Sequence, residues 1–160
     1  MRELSINEII ETAVQIEISG YSFYNEALSR KELSEKCRNL ITFLRDQEIE
    51  HEKTFKGLRD TIDNLELDNT TDWDVVSSYL KAIIDSRIFN SPESAIALVK
   101  KTNNEIDIID YAIQFEKDTL LYFHTIHANL KDEKSKKVVK RIIDEEVNHV
   151  KKLCEIKKEL

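Results

Sequence analysis

Gln47-Glu48-Ile49-Glu50-His51 is the stretch on which the fold of this chain turns, because it breaks an apolar seam at its centre. Before it the seam runs Leu33, Cys37, Leu40, Leu44, and after it the seam resumes at Phe55, Leu58 and Ile62. These helical spacings predict one long helix over residues 33–63 whose core-facing side is polar in the middle. A spacing of three puts Glu48 and His51 on that same face, a carboxylate beside an imidazole. Glu146-Val147-Asn148-His149 repeats the arrangement inside a second seam of Val139, Ile142, Leu153 and Ile156, which starts near Asp132, a good N-cap residue.

Each of these helices has a partner before it in the chain. Ser5-Ile6-Asn7-Glu8 has the form of a capping box, and Ile6, Ile10, Ala13, Gly20, Tyr24 and Ala27 follow on one face, predicting a first helix over residues 5–30. Ile106, Ile109, Ala112, Phe123 and Leu130 mark the third long helix. Turns of two to four residues would fold these rods into antiparallel pairs, and two such hairpins make an all-α four-helix bundle. The whole chain, residues 1–160, reads as one domain, with residues 64–103 as a crossover long enough to return the chain along the bundle. That crossover holds an amphipathic stretch from Trp73 to Phe89 and a helix start at Ser91-Pro92-Glu93. Trp73 is expected to anchor it against the bundle or a second subunit.

Composition supports long helices and narrows the function. With 41% apolar and 34% charged residues in 160, the chain can bury a core, and two Gly and one Pro are too few for a turn-rich β fold. Lys and Arg number 24 against 31 Asp and Glu, a net charge of −7, which argues against nucleic acid or an anionic membrane as partner. The longest stretch without a charged residue, Thr119 to Leu130, is far shorter than the roughly 20 residues of a spanning helix. No secretory signal is recognisable at Met1-Arg2-Glu3, so a cytoplasmic location is expected. Cys37 and Cys154 are too isolated for a thiolate metal site and read as reduced thiols.

Extending all four seams through their centres lands on six polar residues: Glu17, Glu48, His51, Glu116, Glu146 and His149. Residues equally far from the turn of an antiparallel hairpin lie side by side. With the first turn near residue 32, Glu17 and Glu48 both sit about 23 Å up their helices. Glu116 and Glu146 are placed likewise around a turn near Lys131. Burying several ionised groups at one level costs several kcal/mol each, so a shared pair of cations accounts for them more simply than six separate buried polar groups. Four carboxylates and two neutral imidazoles carry −4, which balances two divalent ions.

These residues resemble the ferritin-like di-iron carboxylate proteins, and more narrowly their rubrerythrin-like branch, over nearly the whole chain. Glu17-Ile18-Ser19-Gly20-Tyr21-Ser22-Phe23-Tyr24 is similar to that branch's E-x-x-G-x-x-F-Y first helix, and Phe115-Glu116-Lys117-Asp118 to its third. The resemblance implies that Glu17 and His51 serve one iron, Glu116 and His149 the other, and that Glu48 and Glu146 bridge them. It also implies that Glu145 orients His51 and Gln47 orients His149, the alternative for each being an ordinary solvated helix residue. Tyr24, two turns from Glu17, is expected either to hydrogen-bond a ligand carboxylate and supply a proton, or simply to fill the seam. Two departures stand out. The extra ligand carboxylate that rubrerythrins carry one turn from the third-helix Glu is replaced by Ile113 and Thr119, and no C-terminal rubredoxin domain is expected.

The implied activity is reduction of hydrogen peroxide or dioxygen at two Fe ions, with Mn or Zn also suiting the oxygen and nitrogen donors. Electrons would come from a separate donor protein, and a homodimer is expected. The competing classes are a ferritin-type ferroxidase or iron store, and a metal-stabilised binding module without turnover.

Overall fold

The computed structural model describes residues 5–61 and 72–160. Among the described residues six helices follow one another: α1 Ile6–Ala27, α2 Glu35–Asp60, α3 Trp73–Ser86, α4 Pro92–Lys100, α5 Glu105–Asn129 and α6 Glu133–Lys157. Ile62, Asp63 and the first part of the expected crossover fall outside the described residues.

The helix starts are written in local chemistry. Ser5 Oγ accepts from Glu8 N at 3.2 Å while Glu8 returns a carboxylate to Ser5 N at 2.8 Å, completing the capping box. Asp132 caps α6 by accepting from Ser135 N at 2.8 Å, and Ser91 caps α4 directly before Pro92. The α5–α6 turn has the expected length, Leu130 to Asp132. The α1–α2 link, Leu28 to Ser34, is longer than expected. Arg38 explains why an extended link is stable here, since its guanidinium donates to the carbonyls of Leu28 at 2.8 Å and Arg30 at 3.0 Å.

The closest helix packing joins α1 to α2 and α5 to α6, as the two hairpins require. Tyr122 on α5 donates to the carbonyl of Ile9 on α1 while Tyr24 on α1 reaches Glu116 on α5, so these two helices run antiparallel. Phe43 meets His149 and His51 meets Glu145, so α2 and α6 also run antiparallel. It follows that α2 and α5 point the same way, and the chain between them must travel back along the bundle. There α3 packs on α5 and α4 on α1, covering the α1/α5 side. Trp73 packs against the chain's own bundle, bordering a small apolar gap with Ile6, Ile9 and Ile126.

The core fills the bundle on both sides of the polar level. Phe23, Phe55, Phe115 and Phe123 are fully buried, each worth roughly 1.5–3 kcal/mol of transfer free energy. Phe55 and Phe123 meet at 4.8 Å, and Phe89 of the crossover stacks on Phe115 at 4.8 Å and Phe23 at 5.3 Å. Ile106, expected in the seam, is 40% exposed; Ile108 and Ile109 carry the first buried turn of α5 instead. No helix among the described residues is long and apolar enough to cross a membrane.

Candidate metal centre

Glu17, Glu48, His51, Glu116, Glu146 and His149 are all buried, and each carboxylate has zero exposure. They form two groups in which one donor atom from each member lies within 4.8 Å of the others: Glu17, Glu48, His51 and Glu146, and Glu48, Glu116, Glu146 and His149. Glu48 and Glu146 belong to both. The helix order explains the sharing, because α2 and α6 each contribute a Glu and a His three apart while α1 and α5 each contribute one Glu.

Both imidazoles turn Nδ1 inward. His51 Nδ1 lies 2.8 Å from Glu146 Oε1 and 3.6 Å from Glu17, and His149 Nδ1 lies 2.9 Å from Glu146 Oε2 and 3.7 Å from Glu116. The rings stack at 5.8 Å. Outside the cluster their surroundings differ. His51 Nε2 meets the half-buried Glu145 carboxylate at 2.7 Å. The corresponding Gln47–His149 pairing is not formed: among the described residues Gln47 has no hydrogen bond to that ring, which faces the Phe43 ring edge-on at 5.8 Å. A carboxylate is drawn to a ring N–H by charge as well as by hydrogen bonding, whereas a neutral amide is not. Sequence position alone does not distinguish the two.

Tyr24 donates its hydroxyl to Glu116 Oε1 at 2.5 Å. Tyr122, next to the position matching Tyr24, turns away from the cluster and donates to the carbonyl of Ile9 at 2.9 Å. Gly20 supports Glu48 by having no side chain, since a Cβ there would meet Glu48 Oε2 and Phe115 Cζ, both at 2.5 Å.

The protonation of the cluster shows what it lacks. Burial pushes the Glu17 and Glu48 carboxyls well up, aided by their neighbours' negative charge, and pushes Glu116 to about 8. Burial works to raise Glu146 too, but contacts with Glu116, His149 and His51 outweigh it and hold that carboxyl below its usual range. Burial alone would lower the imidazoles; the facing carboxylates instead raise His51 to about 9 and His149 to about 10. Both oxygens of Glu17 and of Glu48, Oε2 of Glu116 and Oε1 of Glu146 have no aligned hydrogen-bond partner. Buried oxygens in this state are ones a divalent cation satisfies, so the donor set fits a pair of such ions.

Two further polar residues near the cluster carried no spacing signal. Arg87, in the link between α3 and α4, is 8% exposed and lies over the Phe115 ring at 5.4 Å. Asp118 accepts from Ile88 N at 3.0 Å and Gln114 at 2.8 Å, tying that link to α5. The only hint in the sequence is that Arg87 is a lone cation beside Ile88 and Phe89.

No protein-family model matches the chain, and no curated protein matches it by sequence. Among solved structures, a protein of Thermotoga maritima assigned as a ferritin-like diiron-carboxylate protein superposes with a TM-score of 0.73 at 24% identity, over 99% of this chain and 98% of that one. The chain has the ferritin-like fold. Di-metal carboxylate proteins of this fold place an inward-facing Glu on two helices and a Glu-x-x-His pair on the other two, and the same distribution is found here on α1, α5, α2 and α6.

Proposed function

We propose that this ferritin-like chain is a non-haem di-iron oxidoreductase of rubrerythrin type, reducing hydrogen peroxide or dioxygen with electrons from a separate donor protein. The observation that carries the reading is the pair of overlapping ligand groups joined through Glu48 and Glu146. Glu17 and His51 would complete one ion's ligands, Glu116 and His149 the other's. When bound, two Fe(II) ions supply the two electrons that, with two protons, convert one hydrogen peroxide to two waters, and become Fe(III). Mn or Zn fits the same donors.

The protein's own contribution is positional. With a metal on Nδ1, the Glu145 carboxylate would hold the remaining proton of His51 on Nε2 and so orient the ring toward the cluster. Tyr24 fixes the orientation of Glu116 and keeps a proton within 2.5 Å of it, its hydroxyl pKa raised by burial and by that carboxylate. Packing excludes bulk water from all four carboxylates, so only a small oxidant reaches them. A cytoplasmic homodimer completes the reading.

The test is to load the protein with Fe(II) without oxygen and mix it with peroxide or with air in separate stopped-flow runs, counting iron per chain before and after. Two irons retained with rapid oxidation, reversed when a chemical reductant such as dithionite is added, support the reading. Accumulation of many irons per chain indicates storage, and an unchanged optical spectrum indicates a binding module. Glu48→Ala or Glu146→Ala should lose at least one ion; retention of two contradicts the bridging role.

A further inference from the structure

The two imidazoles link the cluster to the surface. His149 turns Nδ1 toward Glu146 at 2.9 Å, and its ring meets the Phe43 ring edge-on at 5.8 Å, with Phe43 37% exposed. His51, whose Nδ1 lies 2.8 Å from Glu146, meets through Nε2 the Glu145 side chain, which is 39% exposed. Both contacts open on the α2/α6 side of the bundle. On the opposite side α4 lies over α1 and α3 over α5. Across α2 and α6 the wall is one aromatic ring and one imidazole thick.

Charge is divided along the same line. Leaving aside the buried Glu48 and Glu146, α2 and α6 carry 14 Lys and Arg against 9 Asp and Glu. Leaving aside Glu17 and Glu116, α1, α3, α4 and α5 carry 3 against 10. A chain of net charge −7 thus presents one basic side and one acidic side. On α6, Lys136 pairs with Glu133 and Lys140 with Asp144, whereas Lys137, Lys151 and Lys152 make no ion pair among the described residues. Lys152 holds Nζ over the Phe43 ring, 4.6 Å from its centre. A partly exposed aromatic anchor among cations that lack partners is suited to a protein interface, the ring supplying contact area and the charges steering the approach.

We propose that the α2/α6 face is the docking surface for a small acidic one-electron carrier protein, seated on Phe43, and that its electrons enter the cluster through His149. Electron tunnelling falls steeply with distance, so a carrier must dock where the wall is thin. The acidic α1/α5 side repels the same carrier, which orients it before contact. The inference rests on the di-iron reading and says on which side its separate donor binds. Two carriers, each losing one electron, together return two Fe(III) to Fe(II).

Oxidised flavodoxin, an acidic one-electron carrier, titrated into the isotope-labelled, zinc-loaded protein and followed by NMR tests the docking without any redox step. Saturable amide shifts are expected on α2 and α6 around Phe43 and Lys152, with binding about tenfold or more weaker when ionic strength rises from about 10 to about 150 mM. Lys137→Glu combined with Lys152→Glu should weaken binding about tenfold or more, whereas Asp74→Lys combined with Glu93→Lys, on α3 and α4, should leave it within about twofold. With iron in place of zinc, re-reduction by reduced flavodoxin should slow in parallel. The Tm and zinc content of each variant report whether it is folded. No saturable binding of flavodoxin or of a plant-type ferredoxin, shifts confined to the α1/α5 side, or equal binding by a folded Lys137→Glu, Lys152→Glu protein overturns the proposal. Fewer than two zinc ions per wild-type chain would instead count against the metal reading, so the two failures are told apart.

Discussion

The Tyr24 hydroxyl, on α1, donates a 2.5 Å hydrogen bond to Glu116 Oε1 on α5, so an aromatic side chain from one hairpin holds a cluster carboxylate of the other. Tyr24→Phe removes the donor with little change of shape and leaves that oxygen without a hydrogen bond, His149 Nδ1 standing 3.7 Å away. Metal affinity should fall about tenfold, the lower end for loss of a group that orients a ligand. Competition with a chromophoric chelator for zinc measures it, and unchanged affinity would make Tyr24 a packing residue only.

Glu145 and Gln47 stand at corresponding places in the two halves, yet only Glu145 reaches an imidazole. Glu145→Gln should therefore weaken one of the two metal sites about tenfold to a hundredfold, whereas Gln47→Ala leaves both within about twofold. Stepwise zinc titration separates the sites. Equal effects of the two substitutions would refute the asymmetry.

Much of this arrangement was legible before the structure, for a physical reason. A buried helix face is written at fixed spacing, so polar residues interrupting it at Glu17, Glu48, Glu116 and Glu146 mark both a face and, counted from the turns, a level. Helix starts such as Ser5 and Asp132 are equally local. What stayed illegible depends on side-chain reach between elements with no fixed register. Arg87 comes from a link whose path no periodicity sets, Gln47 misses a partner that its counterpart Glu145 finds, and Ile106 stands two positions before the first residue that α5 buries.

The two glycines make a matched pair. In a helix interior Ala is better than Gly by about 1 kcal/mol, and at Gly57, where an added Cβ meets nothing within 4 Å, Gly57→Ala should stabilise by roughly that amount. At Gly20 the same methyl would strike Glu48 and Phe115. Phe115 is fully buried and cannot give way freely, so Gly20→Ala should lower Tm and cost at least one bound metal. Thermal melts with and without zinc check both; a stabilised, fully metallated Gly20→Ala protein would mean that Glu48 has room to move.

Metal-free protein should lose stability as pH rises through the neutral range. Glu116 titrates near 8 when folded and near the ordinary carboxylate value when unfolded, so the folded state binds more protons between these limits. His51 and His149, raised to about 9 and 10, act in the same direction above the ordinary histidine value. Their stabilisation is complete below about pH 6.5 and lost as pH passes the folded values. The depressed Glu146 acts oppositely, but only at acid pH. Tm of the metal-free protein is thus expected to fall steadily from about pH 6.5 to 10. With zinc bound, the ions replace those protons, so the fall should largely vanish. A metal-free Tm that rises over this range would show that the cluster is held by something other than the protons it shares.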